Sequence, residues 1–289
     1  MVKKISQLYL EIRQKLLSQE DADTASFIAR NLICSVTGKT QELMLADREH
    51  YVSDTQCQQA ESYAQRILSG EPLAYVLGEW EFYGLHLQVN SGVLIPRDDT
   101  CAVTDLAIKY VQLLPGSVRI LDLCTGSGCI GLAVAHKVPN SRVTLADLSK
   151  EALAVAKKNV TANKLANRVS CVTADAIKGP DKFLGQFDMI VSNPPYITTQ
   201  EMLELPHSVK AFEPHMALHG GEDGLDFYRS IAIKYANALK PKGYLCFEFG
   251  MGQGDAVCQI LQNNGYTILE RTKDYNQIER AVIAQWEGK

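Results

Sequence analysis

The stretch Leu121-Asp122-Leu123-Cys124-Thr125-Gly126-Ser127-Gly128-Cys129-Ile130-Gly131 constrains the fold of this chain more than any other. An apolar run of strand type breaks into glycines and resumes at helical spacing, so a strand, a tight turn and a helix follow one another. Glycine lets the backbone approach a ligand closely, and the N–H groups opening a helix can meet a polar or anionic group. The same alternation continues downstream. Val118–Leu123, Arg142–Ala146, Val169–Thr173, Phe187–Ser192 and Tyr244–Phe249 read as buried strands with helical stretches between them. This predicts an α/β fold on a mostly parallel, doubly wound sheet. Tyr266–Glu270 and Ile278–Ala284, separated by a short loop, suit an antiparallel pair at its edge.

Residues 1–75 carry a different period. Ala25, Ile28, Ala29, Leu32, Ile33 and Val36 recur at helical spacing, with Asp23 as candidate N-cap and Gly38 as stop. A second helix begins at Asp54 and places Cys57, Ala60, Ala64, Ile67 and Leu68 on one face. No catalytic constellation is visible here. The bundle either docks a partner or packs on the next domain. Residues 76–95 read as a β-hairpin linker, because Leu85, Leu87 and Val89 alternate with polar residues before the turn signal Asn90-Ser91-Gly92. The third domain is then 96–289.

Composition removes several function classes. With 46% hydrophobic residues the chain can bury a large core, yet no apolar run reaches membrane length, and Met1 to Tyr9 lacks the apolar centre of a signal peptide. A cytoplasmic protein without membrane contact is expected. A net charge of −4 and no long Lys/Arg block argue against direct nucleic-acid recognition. Eight cysteines without a CxxC pair read as free thiols. His215 and His219 stand four apart, but Pro214 and the glycines at 220 and 221 break the helix that would align them, and no metal is expected.

Asp147 ends the second strand of the third domain, where a carboxylate faces the ligand crevice and can accept both hydroxyls of a ribose. Gly126-x-Gly128-x-x-Gly131 with Asp147 fits NAD and S-adenosylmethionine equally well. Asp175, closing the third strand, can reach an adenine amino group beside the Ala176 backbone, or serve only its own turn. Ser149 suits the N-cap of the helix after Asp147. The deciding feature is Ser192-Asn193-Pro194-Pro195-Tyr196 at the end of the fourth strand. Two prolines fix φ and remove two backbone donors, so the loop offers carbonyls. Asn193 adds a side-chain oxygen and Tyr196 an aromatic face. Such a corner accepts two hydrogen bonds from one planar NH₂ group and stacks on its π system, which a nicotinamide enzyme has no use for.

With these motifs in place the chain resembles the PrmC/HemK family, the release factor glutamine methyltransferases. The resemblance also rests on Gly70-Glu71-Pro72-Leu73-Ala74-Tyr75, Glu81-Phe82-Tyr83-Gly84, Val93-Leu94-Ile95-Pro96-Arg97, Glu213-Pro214, the run 220–228, Lys240-Pro241-Lys242-Gly243 and Lys273-Asp274-Tyr275. It implies a small helical bundle, a hairpin linker and a seven-stranded Rossmann-like methyltransferase domain. The implied reaction moves a methyl group from S-adenosylmethionine to the glutamine side-chain nitrogen in the Gly-Gly-Gln loop of peptide chain release factors. By motif, Cys124, Thr125, Gly126, Ser127, Gly128, Asp147, Ala176 and Asn193 would contact the cofactor, and Asp175 joins them from its place at the end of the third strand. Asn193, Pro194, Pro195 and Tyr196 would grip the glutamine, with Asn193, Pro194 and Tyr196 carrying the chemistry. Two departures stand out: Cys124 replaces a usual glycine, and Asp98-Asp99-Thr100 replaces Pro-Glu-Thr. Rival readings are a ribosomal-protein glutamine methyltransferase, an adenine-N6 DNA methyltransferase, a NAD-dependent dehydrogenase and a catalytically dead binding module.

Overall fold

The computed structural model describes residues 3–182 and 184–288. Two compact units divide the chain: Met1–Gly78 with His207–Phe212, and Glu79–Pro206 with Glu213–Lys289. The first is helical, built mainly on Ile5–Leu16, Ala22–Thr37 and Asp54–Leu68. Leu8, Ile12, Leu16, Ala29, Leu32 and Ile33 close its core with almost no exposure. The cap of Ala22–Thr37 is Asp21, not Asp23: the Asp21 carboxylate accepts from the N–H groups of Asp23 and Thr24, both at 2.9 Å. Gly38, at φ 65°, ends that helix as expected.

The second unit opens with a hairpin, Glu79–Phe82 paired with Leu85–Gln88. Its turn is Tyr83-Gly84, both at positive φ (55° and 77°), the geometry that matches strand twist in a two-residue loop. The signal at Asn90-Ser91-Gly92 is a turn too, closed by the Val93 N–H on the Asn90 carbonyl at 3.1 Å, but it leads out of the hairpin. Fully buried Asn159 anchors the hairpin. Its side chain bonds the Gln88 N–H and carbonyl at 2.6 and 3.0 Å and the Ser127 carbonyl at 2.9 Å. One amide thus ties the linker to the glycine-rich turn.

Seven strands form the central sheet: β1 (Val118–Leu123), β2 (Ser141–Asp147), β3 (Val169–Thr173), β4 (Phe187–Ser192), β5 (Leu239–Glu248), β6 (Tyr266–Lys273) and β7 (Glu279–Trp286). Their spatial order is β6-β7-β5-β4-β1-β2-β3, with only β7 antiparallel to its neighbours. Strand β5 starts five residues before the expected Tyr244, across Pro241 and Gly243. Helices cover both faces, so the central strands read as continuous apolar runs instead of alternating ones. Cys101–Gln112 and Cys129–Lys137 pack on one face through Val103, Leu106 and Leu132. Asp226–Lys234 and Gly254–Asn263 pack on the other through Tyr228, Ile231 and Leu261. No helix of the described residues is long and apolar enough to cross a membrane.

Candidate active site

Chain order reverses between β1 and β4, the place where open parallel sheets hold their ligands beyond the strand ends. Register sets the residues there side by side. Leu123 pairs with Ala146 and with Ser192, while Asp147 pairs with Thr173. The next residues, Cys124, Asn193 and Ala174, therefore rim one cleft, together with Gly126, Asp147, Asp175 and Ala176. Its space is about 730 Å³, counting the part open to solvent, which suits a cofactor-sized molecule. Leu148 and Ile177, exposed at 49% and 38%, give it apolar flanks.

The turn after β1 is held from beneath. Asp122, fully buried, accepts from the Thr125 hydroxyl at 2.6 Å and the Gly131 N–H at 2.9 Å, while its Oδ1 has no protein partner among the described residues. Burial pushes this carboxyl up to about 7, against the pull of those two bonds. Thr125 thus points inward, and Ser127 and Gly128 also lie below the rim, outside the cleft lining. A Cβ on Gly131 would fall 2.3 Å from Leu145, so that glycine serves helix-to-strand packing. Cys124 adopts φ 60°, a left-handed conformation that disfavours any side chain. This gives the glycine usual in the resembling family a backbone reason. All eight cysteines are free thiols.

Asp147 faces the cleft with each oxygen bonded to one backbone N–H, Gly126 and Ser149, both at 2.9 Å. Carboxylate oxygens carry two lone pairs each, so capacity for ligand hydroxyls remains. Burial pushes its carboxyl up; these bonds oppose the shift. Ser149 caps the following helix through the Ala152 N–H at 3.1 Å. Asp175 lines the cleft but spends one oxygen on its own turn, accepting from Ile177 and Lys178 N–H groups. Burial pushes this carboxyl up, but those bonds outweigh it and hold the carboxyl low.

The corner after β4 is stiff and tightly backed. Pro194 and Pro195 are buried; Asn193 and Pro195 line the cleft, whereas Pro194 and Tyr196 lie behind the rim. The run 220–228 packs against this corner: Gly220 donates to the Ile197 carbonyl at 2.9 Å, and a Cβ on Gly224 would sit 2.3 Å from the Tyr196 carbonyl oxygen. Of that run only Phe227 lines the cleft. Gln253 holds the same Tyr196 carbonyl at 2.9 Å. Burial raises the Tyr196 hydroxyl well above the usual phenol range. Across the cleft, buried Glu213 accepts from the Ile95 N–H at 3.3 Å and pairs with Arg97, joining two stretches of the wall.

Sequence reading did not single out Glu248, Asp122 or Glu213 as site residues. The available signal was a lone acid inside an otherwise apolar strand end, in Leu-Asp-Leu and in Phe-Glu-Phe. The Asp98-Asp99-Thr100 departure also acquires contacts: Asp99 pairs with Arg280 at 2.9 Å, and the Thr100 hydroxyl accepts from Asn193 Nδ2 at 3.3 Å.

A seven-stranded sheet with this order and a cleft between a glycine-rich turn and an Asn-Pro-Pro-Tyr corner define a Rossmann-like methyltransferase. Residues 103–210 match the methyltransferase small domain and residues 9–78 the PrmC N-terminal domain. A release factor glutamine methyltransferase of Clostridium acetobutylicum is 36% identical over 253 residues, 88% of either chain. One of Thermodesulfovibrio yellowstonii is 36% identical over 258 residues, 89% of this chain and 91% of the relative. The crystal structure of a methyltransferase from Pyrococcus furiosus shares the fold, at TM-score 0.52 and 19% identity over 79% of this chain and all of that one. The chain belongs to the release factor glutamine methyltransferase family.

Proposed function

We propose that this protein transfers the methyl group of S-adenosylmethionine to the side-chain nitrogen of a glutamine, that of the Gly-Gly-Gln loop in peptide chain release factors. The observation that carries the reading is the corner after β4. No protein donor among the described residues engages the Asn193 Oδ1 or the Pro194 carbonyl. Asn193 lines the cleft and Pro194 follows it in the same stiff corner, so their two free acceptors suit one NH₂ group, and the relatives' shared name supplies the substrate class.

The cleft fits the cofactor on its own chemistry. Asp147 can take ribose hydroxyls, the apolar Leu148 and Ile177 can flank a flat base, and a Cβ on Gly126 would meet nothing within 4 Å. Cys124, Ala176, Asp175 and Asn193 complete this wall; Thr125, Ser127 and Gly128 support it from below. When bound, S-adenosylmethionine would supply a methyl group activated by its sulfonium charge and would leave as S-adenosylhomocysteine, its sulfur keeping the electron pair of the broken S–C bond.

An amide nitrogen is a poor nucleophile because its lone pair is shared with the carbonyl. Asn193 Oδ1 and the Pro194 carbonyl hold its two hydrogens, polarise both N–H bonds and stabilise the positive charge that grows as the N–C bond forms. Pro195 keeps the corner rigid, and Tyr196 backs it. The proton released from nitrogen passes to water. The N-terminal unit is the candidate dock for the release factor.

The test is transfer of labelled methyl to a purified release factor and to the same factor with its Gly-Gly-Gln glutamine changed. Label on the first alone is expected. Label persisting on the altered factor overturns the glutamine assignment, and label on adenine-containing DNA instead would move the protein to a different substrate class.

A further inference from the structure

Strands β4 and β5 run parallel, and Ser192 pairs with Phe247. The residues that follow, Asn193 and Glu248, thus emerge side by side. Glu248 is 1% exposed, a full acid at the end of an apolar strand, with no ion pair to a cation among the described residues. Its carboxyl lies against the Thr100 hydroxyl and the Asn193 side chain, both of which favour its charged form, and its Oε2 has no hydrogen-bond partner among the described residues. The Thr100 hydroxyl in turn accepts from Asn193 Nδ2 at 3.3 Å. Thr100 is itself pinned, 2% exposed at the start of Cys101–Gln112. Its carbonyl takes the Thr104 hydroxyl at 2.9 Å. Tyr228, from the helix on the far side, donates to the Glu248 backbone carbonyl at 2.9 Å.

The consequence lies in amide orientation. A side-chain amide has two donors on nitrogen and acceptors on oxygen, and its two ends are nearly the same shape. Shape alone cannot choose which end faces the cleft. Thr100 takes a hydrogen of the Asn193 amide, and the Glu248 carboxyl beside it favours the same NH₂ end, so the atom left for the cleft is Oδ1. Burying an acid at a strand end costs several kcal/mol unless something is gained from it. Here it fixes the polarity of the one side chain on which the acceptor chemistry depends.

We infer that Glu248, acting with Thr100, is a positioning residue for methyl transfer: it holds the Asn193 amide with its oxygen toward the substrate nitrogen. This rests on the glutamine-methylation reading above. An oxygen acceptor, not a charge, is what the role requires. Glu248→Gln keeps that oxygen and is the rescue variant; Glu248→Leu removes it at similar volume.

The experiment measures kcat, KM for S-adenosylmethionine and thermal stability for wild type, Glu248→Gln and Glu248→Leu, with a release factor as acceptor. Glu248→Leu is expected to lose about 10- to 100-fold in kcat, as removal of supporting hydrogen bonds does elsewhere, with KM for the cofactor within about threefold. Glu248→Gln is expected to stay within about fivefold of wild type. Should Glu248→Leu not fold, Thr100→Val tests the same link, with Thr100→Ser as its rescue; loss in Val and recovery in Ser is expected. Unchanged kcat in Glu248→Leu or Thr100→Val overturns the inference, as does equal loss in Glu248→Gln and Glu248→Leu. A wild-type protein that transfers no methyl to the glutamine overturns the functional reading instead.

Discussion

The loops after β1 and β4 start from neighbouring strand ends and use opposite backbone chemistry. After β1 the chain offers N–H groups: Gly126 donates to Asp147, Gly131 donates to Asp122, and positive φ at Cys124, Gly126 and Gly128 turns the backbone inside out. After β4 two prolines delete donors and leave carbonyls. Each loop is underpinned by a buried acid with an oxygen that has no partner among the described residues, Asp122 Oδ1 in one case and Glu248 Oε2 in the other. The first acid holds a turn in shape, while the second orients a single amide. On the proposed function, one side of the cleft serves affinity toward a hydroxyl-rich cofactor and the other serves rate on an NH₂ group.

Substitutions can break that division. The largest effect is expected from Asn193→Ala. Single-turnover transfer at saturating S-adenosylmethionine should fall by about 10²–10³, the scale seen when one charge-stabilising group is removed. Calorimetry should find cofactor affinity within a few-fold of wild type; a matching loss of affinity would merge the two sides. Asp147→Ala should do the reverse. It should weaken cofactor binding by about 2 kcal/mol, roughly 30-fold, while saturated turnover changes little. Gly224→Ala comes next, since its Cβ must displace the Tyr196 carbonyl and its φ of 73° is unfavourable for alanine. It should lose about 2 kcal/mol of stability by denaturant titration.

The smallest effect, at most about 1.4 kcal/mol per pH unit for each group, is in pH dependence. Asp122 and Glu248 are raised by burial to about 7 and about 8 from ordinary values of 3.8 and 4.5. The folded state therefore holds more protons than the unfolded chain between about pH 4 and 8, and stability falls as pH rises through that window. Asp122→Asn should flatten the fall up to about pH 7 and Glu248→Gln up to about pH 8, each read as a melting temperature shift of a few degrees per pH unit. A slope unchanged in both variants would mean that neither acid is held protonated by burial.

Much of this molecule was legible before any coordinates. Strand and helix alternation gave the sheet, because strands buried on both faces leave long apolar runs such as Met189–Val191. The corner at 193–196 declared itself by deleting its own donors. Local signals misled where two candidates stood close together, as with Asp21 and Asp23, or Gly84 and Gly92. There the choice depended on which carboxylate reached two N–H groups and which glycine lay between two paired strands. Contacts between distant segments were invisible. Glu213 meets Ile95 and Arg97, and Thr100 meets Asn193, across more than ninety residues. The inward turn of Thr125 likewise follows from Asp122, which only the folded β1 places beneath it.

The most direct test is a crystal structure of the protein with S-adenosylhomocysteine and a peptide carrying Gly-Gly-Gln. The glutamine nitrogen should lie about 3 Å from both Asn193 Oδ1 and the Pro194 carbonyl, with its open face toward the cofactor sulfur. A glutamine held elsewhere in the cleft, or an Asn193 presenting its NH₂ group to the substrate, would contradict the account.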